Sequence, residues 1–363
     1  MIAPQEKKFL HAILIAGAEY DAVRKLAAAF GSYEAAWRAS SAAIARAGFG
    51  DEIASRLEHA AGRINPDDTM RQLVTAGIAL VTTGDPEFPS LLKEITAPPL
   101  ALYIKGRLRE DLPRLAVVGT RKATPYGREA TQKIIRDLAA DTDIAVVSGL
   151  AQGIDAEAHR AALDAGLATI GVLGGGMDRA SFFPPENWNL AEESISKGGA
   201  IISEYPPGAP ALPHHFPARN RIIAGLSKGT LVVEAPERSG ALITARFALE
   251  QGRDVFAVPG QLFSPNAAGT HRLIQDGAKL VTRADDIIEE LGLPRRARAD
   301  EITRALTDEA ERTILTLLHE PASVDDLMEQ TRLTAPEIIS RLSLLELKGF
   351  IRPMGQNRFQ RMM

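Results

Sequence analysis

The chain has 363 residues, of which 45% are apolar and 24% charged, with a formal net charge of -4; that length and balance suit a globular protein of more than one domain rather than a disordered one. The charge excludes a polycation that coats nucleic acid by bulk attraction, but it leaves a local positive groove open, because surface fields follow local charge. The absence of cysteine excludes disulfides, zinc thiolates and a thiol nucleophile, and suits a reducing compartment.

At the start, Lys7 and Lys8 precede FLHAILIAGA, and Ala16-Gly17-Ala18 has the look of a signal-peptidase site. His11 interrupts the apolar run, however, and helical periodicity continues through YDAVRKLAAAF. This is read as a first amphipathic helix. No apolar run approaches the ~18 residues of a membrane span, so the expected location is cytoplasmic, with no membrane partner. Residues 1–65 read as short helices. LAAAFGSYEAAW breaks at Gly31-Ser32, where glycine can end one helix and serine cap the next, and Gly48 and Gly50 repeat the device. A helix-hairpin-helix or SAM-like module fits this pattern.

From Ile78 the pattern changes. IALVTT and ALYIKG are short strands flanked by Pro and Gly. LAVVG, IAVVSG, ATIGVLG, AIISE, TLVVEA and DVFAVPG follow as continuous apolar runs, separated by helical segments such as YGREATQKIIRDLAA and ALITARFALEQG. Unbroken apolar strands alternating with helices predict an α/β domain over 66–292, with a parallel sheet covered on both faces. Right-handed crossovers make it doubly wound and Rossmann-like, and KLVT closes the sheet. Residues 293–306 read as a charged linker. The remainder, 307–363, reads helix, helix, long helix, two-stranded wing, which is a winged helix. It is not basic: its third helix offers Arg341 and Lys348, and the wing adds Arg352, Arg358 and Arg361. A protein contact and a wing-led DNA contact both stay open.

In an open parallel sheet, ligands bind beyond the carboxyl ends of the strands. Those ends carry Gly119-Thr120-Arg121, then Ser148-Gly149 through Gly153, Gly174 to Gly176, Ser203-Glu204, Glu234 and Ser239-Gly240. Glycine lets backbone amides approach a ligand, and helix N-termini direct N–H groups at an anion. One such loop is only a tight turn. Several on one edge, joined by Arg121, favour an anion-binding rim. No loop matches GxxxxGK[ST], and GVLGGG is not GxGxxG in register, so neither a P-loop motor nor a dinucleotide cofactor is expected.

HHFPARNRIIAGLS, from His214 to Ser227, lies between two strands, and no acidic residue occurs from Gly208 to Thr230. It should begin as a loop on the ligand edge and become a helix, with Pro217 in the first turn. Arg219 and Arg221, two residues apart, diverge: one can face the groove while the other grips the backbone or a neighbouring loop. Phe216 offers a ring for a base to stack on. In the alternative, Phe216 is core and Arg219 pairs with Glu204 or Glu234. Adjacent His214 and His215 make poor chelators, and there is no HExxH, so no metal is expected. Ser148 and Ser239 lack the GxSxG setting of a nucleophile. Glu204, Glu234 and Asp178 could form a hydrolytic carboxylate pair, but carboxylates at strand ends more often position arginines.

The motifs AVVGTRKATPYG, VVSGLAQGIDAEAHRAAL, FFPPEN, HFPARNRIIAGLS, VVEAPERSGALITARFALEQGRDVFAVPG and GTHRLIQDGAKLV resemble, in order, those of the DNA-processing protein A family (DprA, also called Smf). The resemblance covers roughly residues 70–290, and the flanking modules fit the family's common additions. It implies an extended Rossmann fold that dimerises and binds single-stranded DNA without sequence preference. It also implies delivery of the recombinase RecA onto that DNA in natural transformation, with no cofactor; single-strand-binding protein is a further candidate partner. By motif match, Arg121 and the Arg219-Asn220-Arg221 segment would hold phosphates, and Phe216 would lie by a base. The remaining candidate contacts are Gly119, Thr120, Ser148, Gly149, Gly153, Ser239 and Gly240. Relatives carry a basic residue just after the tyrosine-proline of the segment matching FFPPEN; Pro185 and Glu186 stand there, which puts that phosphate contact in question. The rival from another class is a nucleoside-monophosphate phosphoribohydrolase, which is similar in scaffold and carries PGGxGTxxE. The analogous stretch here is RSGALITARFA, with Arg246 and Phe247 where the acid should be. Binding without turnover is therefore expected.

Overall fold

The structure, a computed structural model, describes residues 2–296 and 308–361 except 319, 332, 348–349 and 356–357. Lys348 and most of the expected linker lie outside the described residues. Two compact units emerge, Met1–Pro294 and Arg295–Met363.

Six helices open the first unit: Pro4–Ile15, Tyr20–Phe30, Tyr33–Arg38, Ser41–Arg46, Asp51–Ala61 and Pro66–Thr75. Gly31 ends the second in the left-handed region (φ 82°), where a Cβ would be strained, and Ser32 Oγ accepts from the Ala35 amide at 3.0 Å to start the third. The FLHAILI run is a packed helix, with Leu10 and Ile13 fully buried. The helices run past the expected boundary at 65 and form no separate core: Leu10, Ile13 and Leu26 share one apolar cluster with Tyr103, Leu173 and Ile201 of the sheet. Polar pins reinforce this contact. His11 Nδ1 lies 2.8 Å from Tyr103 Oη, and the Tyr20 hydroxyl donates to the Glu204 carbonyl.

The nine expected strands all form: β1 Ile78–Thr82, β2 Ala101–Gly106, β3 Arg114–Val118, β4 Ala145–Ser148, β5 Thr169–Leu173, β6 Ala200–Ser203, β7 Gly229–Val232, β8 Asp254–Ala257 and β9 Lys279–Leu280. Their order is β1-β2-β6-β5-β4-β3-β7-β8-β9. β1 and β2 run antiparallel at one edge, and the other strands pair in parallel. The continuous apolar runs follow from this. Leu115 and Val117 pack on one face with Ile135 and Leu138 of helix Pro125–Asp141. Ala116 and Val118 pack on the other with Ile222 of helix His215–Gly225 and Ala245 of helix Gly240–Glu250. Every residue of β3 is therefore buried, and each such Val or Leu contributes about 1.5–3 kcal/mol of transfer free energy. The chain steps outward from β3 to β6, then returns to lay β7 beside β3. The carboxyl ends of β3 and β7 consequently frame the crevice where this topology binds ligands.

The second unit has helices Glu309–Leu317, Val324–Thr331 and Ala335–Leu347 around Ile314, Leu318, Leu327, Ile338 and Leu342. Strands Ile351–Gly355 and Arg358–Arg361 make the wing, and the short strand Ala322–Ser323 adds a third member that the sequence pattern did not reveal. Arg341 Nε donates to Asp308 Oδ2 at 3.1 Å.

The His11 pin carries a pH signature. His11 is 2% exposed, and burial depresses its pKa from 6.5 to about 4. Below pH 6.5 the unfolded chain takes up a proton there and the folded chain does not, so stability falls as the pH falls through this window. The wild type should lose about 2 kcal/mol more than His11→Gln between pH 7 and pH 5. Urea unfolding midpoints of both proteins at the two pH values measure it, and parallel losses would refute it.

Candidate nucleic-acid interface

Helix His215–Gly225 is tied to the loop after β4 and to strand β5 through one buried guanidinium. Arg219, 4% exposed, donates through Nη1 to the Gly149 carbonyl at 2.9 Å and to the Val172 carbonyl. Its Nε reaches Asn220 Oδ1 at 3.2 Å. Asp155, also buried, accepts from the Gly149 amide at 3.0 Å. Burial pulls Arg219 down to about 10, opposed by the attraction of Asp155, so it stays cationic at neutral pH. Burial likewise raises Asp155, opposed chiefly by Arg219. Against the expected phosphate contact stands this set of protein partners, although Arg219 still lines the cleft described below. Of the two options its spacing allowed, it grips the neighbouring backbone.

The glycines serve the same closeness. A Cβ at Gly149 would sit 2.6 Å from Arg219 Nη2 and 2.7 Å from Asp155 Oδ2. One at Gly153 (φ 77°) would lie 2.3 Å from the Thr120 carbonyl, and one at Gly119 would lie 2.6 Å from Ile154. These three glycines bring protein to protein rather than protein to ligand. Ser148 is fully buried and donates to the Val117 carbonyl at 2.6 Å. Arg221 turns to the opposite side, where Nη2 meets Glu204 at 2.6 Å and Nε meets the Ala97 carbonyl. The ion pair with Glu204 thus belongs to Arg221 and not Arg219.

What remains outside forms a cleft of about 690 Å³ over the carboxyl ends of β3 and β7. Thr120, Arg121, Phe216, Asn220, Ser239 and Gly240 line it. The Arg121 guanidinium carbon lies 5.7 Å from the centre of the Phe216 ring, within cation–π range. Phe183 also approaches Phe216, with ring centres 5.7 Å apart and tilted by 55°. Phe183 is 48% exposed. Arg121, Phe183 and Phe216 also border an adjoining cavity of about 230 Å³, bounded by Pro185 and Glu186. Ser239 caps helix Gly240–Glu250 through the Ala241 amide, and nothing lies within 4 Å of a Cβ placed on Gly240. Asn220 Nδ2 holds the Gly240 carbonyl at 3.2 Å.

Of the charged and aromatic lining residues, Phe183, Lys122 and Arg238 escaped the sequence reading. Each belonged to a motif already singled out, but only the fold shows which side chain faces outward. Arg121, Lys122 and Arg238 are exposed, and among the described residues none forms an ion pair. The three carboxylates weighed for hydrolysis are all occupied. Glu204 holds Arg221, Glu234 accepts from the Thr124 amide at 2.9 Å and from its hydroxyl at 2.5 Å, and Asp178 accepts from Ser181 and Gly208. Its hydrogen bonds, led by that from Ser181, hold Asp178 below the usual carboxylate range against the cost of burial. Arg246 points outward and pairs with Glu250 at 2.7 Å. The site presents free cations and aromatic rings but no free carboxylate pair.

Residues 79–292 match the family described as DNA recombination-mediator protein A, and residues 297–357 match the DprA winged helix domain. Protein Smf of Synechocystis is 34% identical over 93% of this chain and 94% of its own, and Protein Smf of Escherichia coli is 41% identical over 77% of each. The X-ray structure of DNA processing protein A from Streptococcus pneumoniae superposes with a TM-score of 0.65 at 34% identity, covering 80% of this chain and 99% of that one. DNA processing protein A from Helicobacter pylori, whose single-stranded DNA binding mode has been determined, superposes with a TM-score of 0.52 at 28% identity, covering 59% of this chain and 95% of that one. The chain belongs to the DNA recombination-mediator protein A (DprA/Smf) family of DNA-processing proteins.

Proposed function

We propose that the cleft binds single-stranded DNA without sequence preference. Arg121, Lys122 and Arg238 meet phosphates, while Phe216 and Phe183 receive bases. The observation that carries this is the cluster of Arg121 and Phe183, both exposed and each 5.7 Å from the half-buried Phe216 ring. Aromatic faces accept any base, at about 1–3 kcal/mol each, and cations accept any phosphate, so the chemistry contains no sequence code. Duplex DNA keeps its base faces stacked and could use only the charges. The Helicobacter pylori relative binds single strands, which supports the same use here. The bound strand is then handed to the recombinase RecA, two copies of the chain acting together through the sheet domain. Hydrolysis of nucleoside monophosphates is the weaker alternative, since the candidate carboxylates are engaged.

Arg121→Ala should weaken binding to oligothymidylate about tenfold and lower the slope of log affinity against log salt by about 1. Titration of labelled single and double strands at two salt concentrations reads both. Equal affinity of variant and wild type would remove the groove from consideration. The same variant should fail to speed RecA assembly on strands covered by single-strand-binding protein, where the wild type succeeds.

Arg219→Met should behave differently. It strands Asp155 and two carbonyls in the interior, at a cost of about 3–5 kcal/mol, and lowers Tm by on the order of 10 °C. In the fraction still folded, the salt slope should match wild type. A variant of unchanged Tm with a reduced slope would restore Arg219 as a phosphate contact.

A further inference from the structure

The loop after β8 carries two side chains that nothing else in the fold explains. Ser264 N donates to the Gln261 carbonyl at 3.0 Å, closing a turn with Leu262 and Phe263 at its corner. Such corners favour Gly, Pro, Asn, Asp and Ser. Here they hold two large apolar residues, Leu262 at 76% and Phe263 at 94% exposure. The loop is nevertheless firmly seated. Ala235 N donates to the Asn266 carbonyl at 2.7 Å, Asn266 Nδ2 donates to the Lys122 carbonyl at 3.2 Å, and the Tyr126 hydroxyl donates to the Pro259 carbonyl at 2.5 Å. The Lys122 anchor joins it to the rim of the cleft.

Its position continues the line of the cleft. β3, β7 and β8 are neighbours, so the loop after β8 starts ~10 Å from the Arg121 loop, two strand spacings away. That is about three phosphates at stacked spacing. Lys122 lies between, and Tyr126, 46% exposed, stands beside the turn's anchor. No acidic residue occurs from Val255 to Gln275, so this stretch of the loop and the following helix adds no repulsion to a polyanion.

We infer that Phe263, supported by Leu262, is a second base-stacking platform that extends the single-strand track from the cleft across the carboxyl end of β8. The inference rests on the proposed single-strand binding and deepens it. A strand long enough to pass Lys122 reaches Phe263, and a shorter one stays on Phe216 and Phe183. The platform therefore adds affinity in proportion to length, not to sequence.

The test compares oligothymidylates of about 6 and about 20 nucleotides, on the two sides of the footprint of one such groove. Phe263→Ala should leave the short strand's affinity unchanged and lower the long strand's about 5- to 100-fold, while Phe263→Tyr restores it. Phe263→Trp should show emission quenched by the long strand and not by the short one. Phe263→Ala binding both lengths like wild type, or losing affinity only because sedimentation shows that it no longer self-associates, overturns the platform while leaving the cleft intact. Failure of the cleft itself reads differently: Arg121→Ala then binds both lengths as wild type does.

Discussion

The candidate site depends on a charge that is almost wholly buried. Arg219 ties the loop after β4 and strand β5 to helix His215–Gly225 by two carbonyl contacts, with a further contact to Asn220 and Asp155 as its counter-charge. A buried guanidinium is costly, and only a full set of partners makes it tolerable. Once that set is in place, the helix cannot shift without exposing an unpaired carbonyl. Phe216 and Asn220 lie on this same helix, and Asn220 in turn positions Gly240. The cluster of Arg121, Phe216 and Phe183 is therefore held from beneath by a group that takes no part in it. Arg219 is buried in this positioning role, whereas Arg121 stands exposed at the mouth of the cleft.

The sheet was legible because burial on both faces leaves a signature in the chain. β3 to β8 are apolar without alternation, and turn residues mark their ends, so their existence followed from composition alone. The all-helical opening was legible too, through Gly31-Ser32, but its boundary and its independence were not. Nothing in the local pattern says that Leu10 and Ile13 lie against Tyr103, because that contact spans 90 residues or more of chain. The same limit explains the short strand Ala322–Ser323, which exists only by pairing with Phe359 and Arg358.

The candidate site was half legible for a related reason. Charge and residue type identified the segments, while direction came only from the fold. Arg219 and Arg221 look equivalent in HFPARNR, yet one points under the β4 loop and the other toward Glu204. The glycines of the rim suggested ligand approach, and at positions 119, 149 and 153 they serve packing. Conversely, Lys122 and Arg238 had no signal beyond being single basic residues in loops. Their significance comes from adjacency across β3 and β7, strands more than a hundred residues apart in sequence.

A net charge of -4 on a protein of this family is then no contradiction. Several surface cations of the first unit are answered by neighbours three or four residues away, as in Arg38 with Glu34, Lys133 with Asp137 and Arg272 with Asp276. Such pairs contribute little to stability, about 0.3–0.5 kcal/mol each, but they cancel the field over much of the surface. Cations left without a partner stand out against that background, and three of them share one cleft. Within a Debye length of ~8 Å at physiological salt, a polyanion approaching the cleft would meet these three cations together with two acids, Glu186 of the adjoining cavity and Glu237 beside Arg238 in sequence. Local imbalance on a nearly neutral surface gives selectivity for one groove, whereas a uniformly basic surface would bind duplex and single strand alike wherever they touched it.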